Sequence, residues 1–161
     1  MRAIPFVLCS MTTTASAAEV REKLAVLEIE ARGVDPKLAQ NTASIVSAQV
    51  RKRKRFDVIS KEDIEKLMHF EESRQAVGAT SQTGAIAAMA GDLGIAKLMH
   101  GSLGKMGSLW VLSLSLMDSQ TATVLASDTV TINGKEGAIV EPTKQLVDRL
   151  FALLDEREAK K

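Results

Sequence analysis

A chain of 161 residues with 45% apolar composition is long enough for one domain with a real core. Its 21 Lys+Arg against 20 Asp+Glu argue against a nucleic-acid binder that relies on bulk charge. With no Tyr, one Trp and four Phe, it also has little with which to stack bases or sugars.

The N-terminus reads as an export signal. Arg2 supplies positive charge, Ala3 to Met11 form a short apolar core, and Ala15-Ser16-Ala17 is an A-x-A cleavage box. The expected organisation is a cleaved signal over 1–17, a single α/β domain over 18–154 and a charged tail over 155–161. Removal of the signal takes Arg2 with it and leaves the charges balanced. The apolar core is too short to cross a bilayer, which takes about 20 residues in a helix. No other stretch is long enough, so no membrane span is expected. Cys9, the one cysteine, lies inside the signal. Its neighbour Leu8 is large where a lipid-attachment cysteine wants a small residue, so an anchor at Cys9 is disfavoured.

Leu24 to Ile29 is an apolar run with β-branched residues, read as a largely buried first strand. Asp35-Pro36 opens a helix, with Asp at the cap and Pro at the first helical position. Leu38, Thr42, Ile45, Val46, Gln49 and Val50 recur at helical spacing and place one stripe against a sheet. The helix runs into Arg51-Lys52-Arg53-Lys54-Arg55, read as a solvated last turn whose cations suit the carbonyl end of the helix. An anion-binding patch is the alternative.

Phe56 to Ile59 is the second strand. Ser60 with Asp63 forms a capping box, and Ile59 and Ile64 flank it as a hydrophobic staple. The helix that follows carries Ile64, Leu67 and Met68 inward; His69 within it lacks companions at metal-ligand spacing. After a loop over 78–84, Ala85 to Leu93 form a small-residue helix ending at Gly94, a left-handed C-cap.

Ile95 to Leu103 begins a meander, with a turn around Gly104 to Gly107. In Leu109 to Met117, Trp110, Leu112, Leu114 and Leu116 share one face; Val111, Ser113, Ser115 and Met117 take the other. Asp118 to Thr121 is a turn. Thr123 to Ile132 is the last strand, with Val124, Ala126, Val130 and Ile132 on one face and Thr129 and Thr131 on the other. A final helix starts near Pro142, buries Leu146, Val147, Leu150, Phe151 and Leu154, and dissolves at Asp155. The fold class is α/β: a single mixed sheet in the order β-α-β-α-α-β-β-β-α, with an antiparallel C-terminal meander and helices packed on it.

Chemistry is hard to find. Gly101 to Gly107 superficially suggests a phosphate loop, but Met106 follows Lys105 and the segment joins strand to strand. A hairpin turn fits better. His100 has no Ser or Asp constellation beside it, and Glu71-Glu72 and Asp155-Glu156 lie on helix surfaces. No catalytic, metal or cofactor residue is assigned.

The chain resembles the family that contains the N-terminal domain of TolB, the periplasmic parts of CsgG and FlgT, and the outer-membrane lipoprotein LpoB. The residues that carry the likeness are Leu24 to Ile29, Arg55 to Ser60 with Asp63-Ile64, Ser73 to Gly78, and Asp92 to Gly101. The resemblance implies a non-enzymatic docking module working at the cell envelope. The expected function is thus a periplasmic adaptor that binds an envelope protein by its sheet edge or polar sheet face, through Ser113, Ser115, Thr129 and Thr131. Outer-membrane association stays open, and no small-molecule substrate or cofactor is expected. The alternative is a nucleotide or nucleic-acid module using Arg51, Lys52, Arg53, Lys54 and Arg55.

Overall fold

The computed structural model describes residues 21–64, 66 and 93–160. The expected signal, His69, Glu71-Glu72, the loop over 78–84 and the helix body before Leu93 lie outside the described residues.

Strand β1 (Lys23–Arg32) leads into helix α1 (Pro36–Lys52) and strand β2 (Asp57–Ser60). Strands β3 (Ile95–Met106), β4 (Leu109–Asp118) and β5 (Val124–Asn133) follow, then helix α2 (Val140–Glu158). They form one five-stranded mixed sheet in the order β2-β1-β3-β4-β5. β1 pairs parallel with β2 and β3, while β3, β4 and β5 form the antiparallel meander. The mixed sheet and its C-terminal meander are those expected.

Local chemistry sets the boundaries. The Asp35 side chain accepts a hydrogen bond from the Lys37 amide at 2.9 Å, and Pro36 occupies the first helical turn. The capping box forms as well: Asp63 accepts from the Ser60 amide at 3.1 Å and hydroxyl at 2.8 Å. Helical geometry begins at Lys61. Gly94 has φ +64°, the left-handed conformation expected of it.

Both helices pack on one face of the sheet. Val46 and Val50 of α1, and Leu146, Leu150, Phe151 and Leu154 of α2, enclose a core with Leu24, Met99, Leu112 and Leu116. Phe56 and Phe151 stack with ring centroids 5.7 Å apart at its edge. In α1 the buried stripe is Ala39, Thr42, Val46, Ser47 and Val50; Leu38, Ile45 and Gln49 sit at its half-buried margins. Ala25, Ile64 and Ile95 form a smaller cluster, and Ile59 of the expected staple packs against it.

Several boundaries differ from expectation. β3 continues through Gly104 to Met106, and the hairpin turn narrows to Gly107-Ser108, with Gly107 at φ +62°. A glycine-first two-residue turn matches the twist of paired strands, which lets β3 and β4 stay paired to their tips. Val124 is not on the core face. A register shift pairs Leu116 with Ala126 but Met117 with Val124, so Leu125 is extra and Val124 turns to the opposite side, 47% exposed. α2 starts at Val140, since a proline in the first turn, here Pro142, has no hydrogen bond to lose. It also runs past Asp155 to Glu158, because Arg55 holds both Asp155 and Glu158.

Candidate docking surface

β4 alternates strictly. Trp110, Leu112, Leu114 and Leu116 are buried beneath the helices, which turns Val111, Ser113, Ser115 and Met117 to the opposite face. The pairing of β3, β4 and β5 then aligns hydroxyls in rows. Ser102, Ser113 and Thr129 form one row, and His100, Ser115 and Ser127 the next. The Ser113 and Thr129 hydroxyls are 2.9 Å apart, as are those of Ser115 and Ser127. Thr131 lies opposite Val111, exposed on the same face. All four residues singled out in the sequence therefore share one surface. Ser102, Ser127 and His100 belong to it too. Alternation could have found Ser127, two residues before Thr129, but the cross-strand rows depend on register.

β5 closes the sheet as an edge strand of ten residues. Its first turn of edge is covered: the Arg157 guanidinium donates to the carbonyls of Val124 at 2.6 Å and Leu125 at 3.0 Å. On the helix side, Arg149 holds Asp128 at 2.7 Å. From Ala126 to Asn133 the Thr129 amide donates to the Asp128 carboxylate at 2.7 Å, and no strand among the described residues pairs with the outer side. Exposed edges of that length template pairing with another chain unless charge, proline or a bulge blunts them. Here the bulge and Arg157 blunt one end only.

The basic run is largely spent on the fold. Arg53 holds Asp148 at 2.8 Å and lies 5.5 Å from the Phe151 ring centroid. Arg55 binds Asp155 and Glu158 and covers Phe56. Arg51 reaches Asp63 at 3.4 Å. Burial pushes the Arg55 pKa down, but its hydrogen bonds and charge contacts with Asp155 and Glu158 outweigh this and leave it raised. Lys52 and Lys54 are exposed, without an ion pair among the described residues.

The glycine segment is strand and hairpin, with no helix N-terminus to face a phosphate. A Cβ on Gly101 would stand 2.3 Å from the Ser113 carbonyl oxygen and 2.7 Å from Leu114 Cδ2, so this glycine exists for close strand packing. His100 lies opposite Ser115, whose hydroxyl is engaged with Ser127. Among the described residues no helix is long and apolar enough to cross a membrane.

No protein-family model matches the chain, and no curated protein matches it in sequence. Solved structures do. The LpoB C-terminal domain from Salmonella enterica matches with TM-score 0.53 at 13% identity, over 73% of this chain and 88% of that one. The fold is similar to that of LpoB. PelC from Paraburkholderia phytofirmans, a dodecamer, matches with TM-score 0.55 at 17% identity, over 83% of this chain and 87% of PelC. TolB from Acinetobacter baumannii matches with TM-score 0.52 at 14% identity, and this chain spans 28% of its length. At these identities the likeness to LpoB and its fellows establishes the fold, in agreement with the resemblance carried by the sequence.

Proposed function

We propose that this chain is a non-enzymatic docking domain of the periplasm that binds a cell-envelope protein through β5 and the hydroxyl face beside it. The observation that carries the reading is the outer edge of β5 from Ala126 to Asn133, unpaired by any strand among the described residues and bordered by Ser113, Ser115, Thr129 and Thr131. Such an edge gives affinity through main-chain hydrogen bonds, and the side chains next to it give selectivity. The N-terminal signal read in the sequence and the fold shared with LpoB and TolB support an envelope location. PelC is a dodecamer, so a second copy is one candidate for the strand that β5 accepts.

Anion binding by the basic run has less support, since Arg51, Arg53 and Arg55 already face carboxylates. Changing Lys52→Gln with Lys54→Gln separates the two readings without disturbing those pairs. Partner binding is expected to survive the double change, whereas Thr129→Lys with Thr131→Lys should abolish it. The reverse pattern would favour the anion site. Fractionation tests the location: processed protein in the periplasm is expected, and full-length protein in the cytosol would remove the basis for the proposal.

A further inference from the structure

β1 and β2 end at different heights, and the mismatch builds a second site. β2 stops at Ser60, opposite Val26, while β1 runs on to Arg32. From Leu27 to Arg32, β1 keeps β3 on one side and has no strand on the other among the described residues. That overhang is about 20 Å long at roughly 3.3 Å per residue. β1 is also bulged there: Val26 pairs with Met99 and Ile29 with Gly101, so Leu27 and Glu28 together face His100.

Beside the open edge lies a cleft of about 370 Å³ between β1, α1 and the segment Ser60 to Glu62. It stands beyond the carboxyl end of β2, beside the middle of β1. Ser47 lines it and is 6% exposed, yet its hydroxyl has no hydrogen-bond partner among the described residues. Thr42 and Ser44 on the same helix return theirs to the carbonyls of Leu38 and Gln40. Solvent reaches the hydroxyl itself, so a group that enters the cleft can become its partner.

The walls carry both signs of charge. Arg51 and Lys61 offer cations, while Glu28 and Glu62 offer carboxylates, with Lys61 and Glu28 2.7 Å apart. A phosphate would meet those carboxylates, and a bare cation would meet Arg51. An extended backbone instead brings alternating donors and acceptors with no net charge, which matches an unpaired strand edge.

We propose that this cleft takes an extended peptide segment of a partner protein, added to the open edge of β1 and hydrogen-bonded to Ser47. The site stands apart from the β5 edge, with β3 and β4 between them, and holds whether or not β5 accepts a partner. The probe is a phage-displayed library of random heptapeptides panned on the full chain, followed by synthesis of the enriched peptide. That peptide is expected to shift the amide resonances of Leu27 to Glu30, and to bind at least tenfold more weakly to Ser47→Phe, which fills the cleft. Gln40→Trp at the exposed rim gives the same reading should Ser47→Phe fail to fold. Thr129→Lys should leave peptide binding unchanged. Absence of an enriched peptide, equal binding to both cleft variants, or shifts confined to β5 would overturn the proposal. So would the same amide shifts from free glutamate, which offers both charges but no strand.

Discussion

Arg53 at the end of α1 and Asp148 in α2 meet at 2.8 Å, although 95 residues separate them in the chain. Gln49 donates to the same carboxylate oxygen at 3.1 Å. The basic run thereby serves as a clasp between the two helices that cover the sheet. Burial raises the Asp148 pKa, but hydrogen bonds from Arg53 and Gln49 and the charge of Arg53 outweigh it and leave it lowered. A lowered carboxyl stabilises the fold above its unfolded value, near 3.9, and that stability drains away as pH falls through the folded value. Asp148→Asn should therefore flatten the loss of stability below about pH 4, followed by urea midpoints across pH. The pair is about 40% exposed on both sides (37% and 43%), so its coupling in a double-mutant cycle with Arg53→Ala should stay within about 1 kcal/mol.

The capping box should respond in the same direction. Hydrogen bonds from the Ser60 hydroxyl and amide are the main cause of the lowered Asp63 pKa, with Arg51 adding charge. Ser60→Ala is expected to cost about 1 kcal/mol in urea unfolding, the usual worth of such a cap. Asp63→Asn should lose stability at neutral pH and converge with the parent in acid.

Core and surface of α2 should separate cleanly. Phe151 is 1% exposed and stacks on Phe56, whereas Leu153, two residues on, is 41% exposed. Phe151→Ala should cost about 3–5 kcal/mol, most of the stability of an ordinary domain. Leu153→Ala should stay within about 0.5 kcal/mol.

Two glycines of one strand should behave oppositely. Gly101→Ala forces a methyl to within 2.3 Å of the Ser113 carbonyl oxygen, and about 1–3 kcal/mol of destabilisation is expected from the strand shift it demands. At Gly104 the added atom would sit 3.6 Å from Arg32 Cβ, an ordinary contact, so Gly104→Ala should be tolerated. Thermal unfolding of the two variants side by side decides it.

What the sequence made legible was local. Asp35-Pro36 and Ser60 with Asp63 mark their helix starts by hydrogen bonds within one turn, and the structure forms both. The strict alternation of Leu109 to Met117 reads directly as a strand with one buried face. What stayed hidden depends on distant partners. Nothing near Arg53 or Arg55 announces Asp148, Asp155 or Glu158, so the run looks like a free patch until α2 is folded against α1. The extra residue at Leu125 breaks the alternation that would place Val124 in the core. The hydroxyl rows needed the register of three strands, and the cleft by Ser47 needed the unequal lengths of β1 and β2. Residues that satisfy a neighbour within four positions are readable; residues whose partner arrives from another element are not.

The most direct test of docking through β5 is photo-crosslinking in the cells that make the protein. A benzophenone amino acid is placed at Thr129 on the hydroxyl face, and separately at Ala152 on the exposed side of α2. A discrete protein adduct from Thr129, absent from Ala152, is the expected result. No adduct from Thr129, or the same adduct from both positions, would contradict the account.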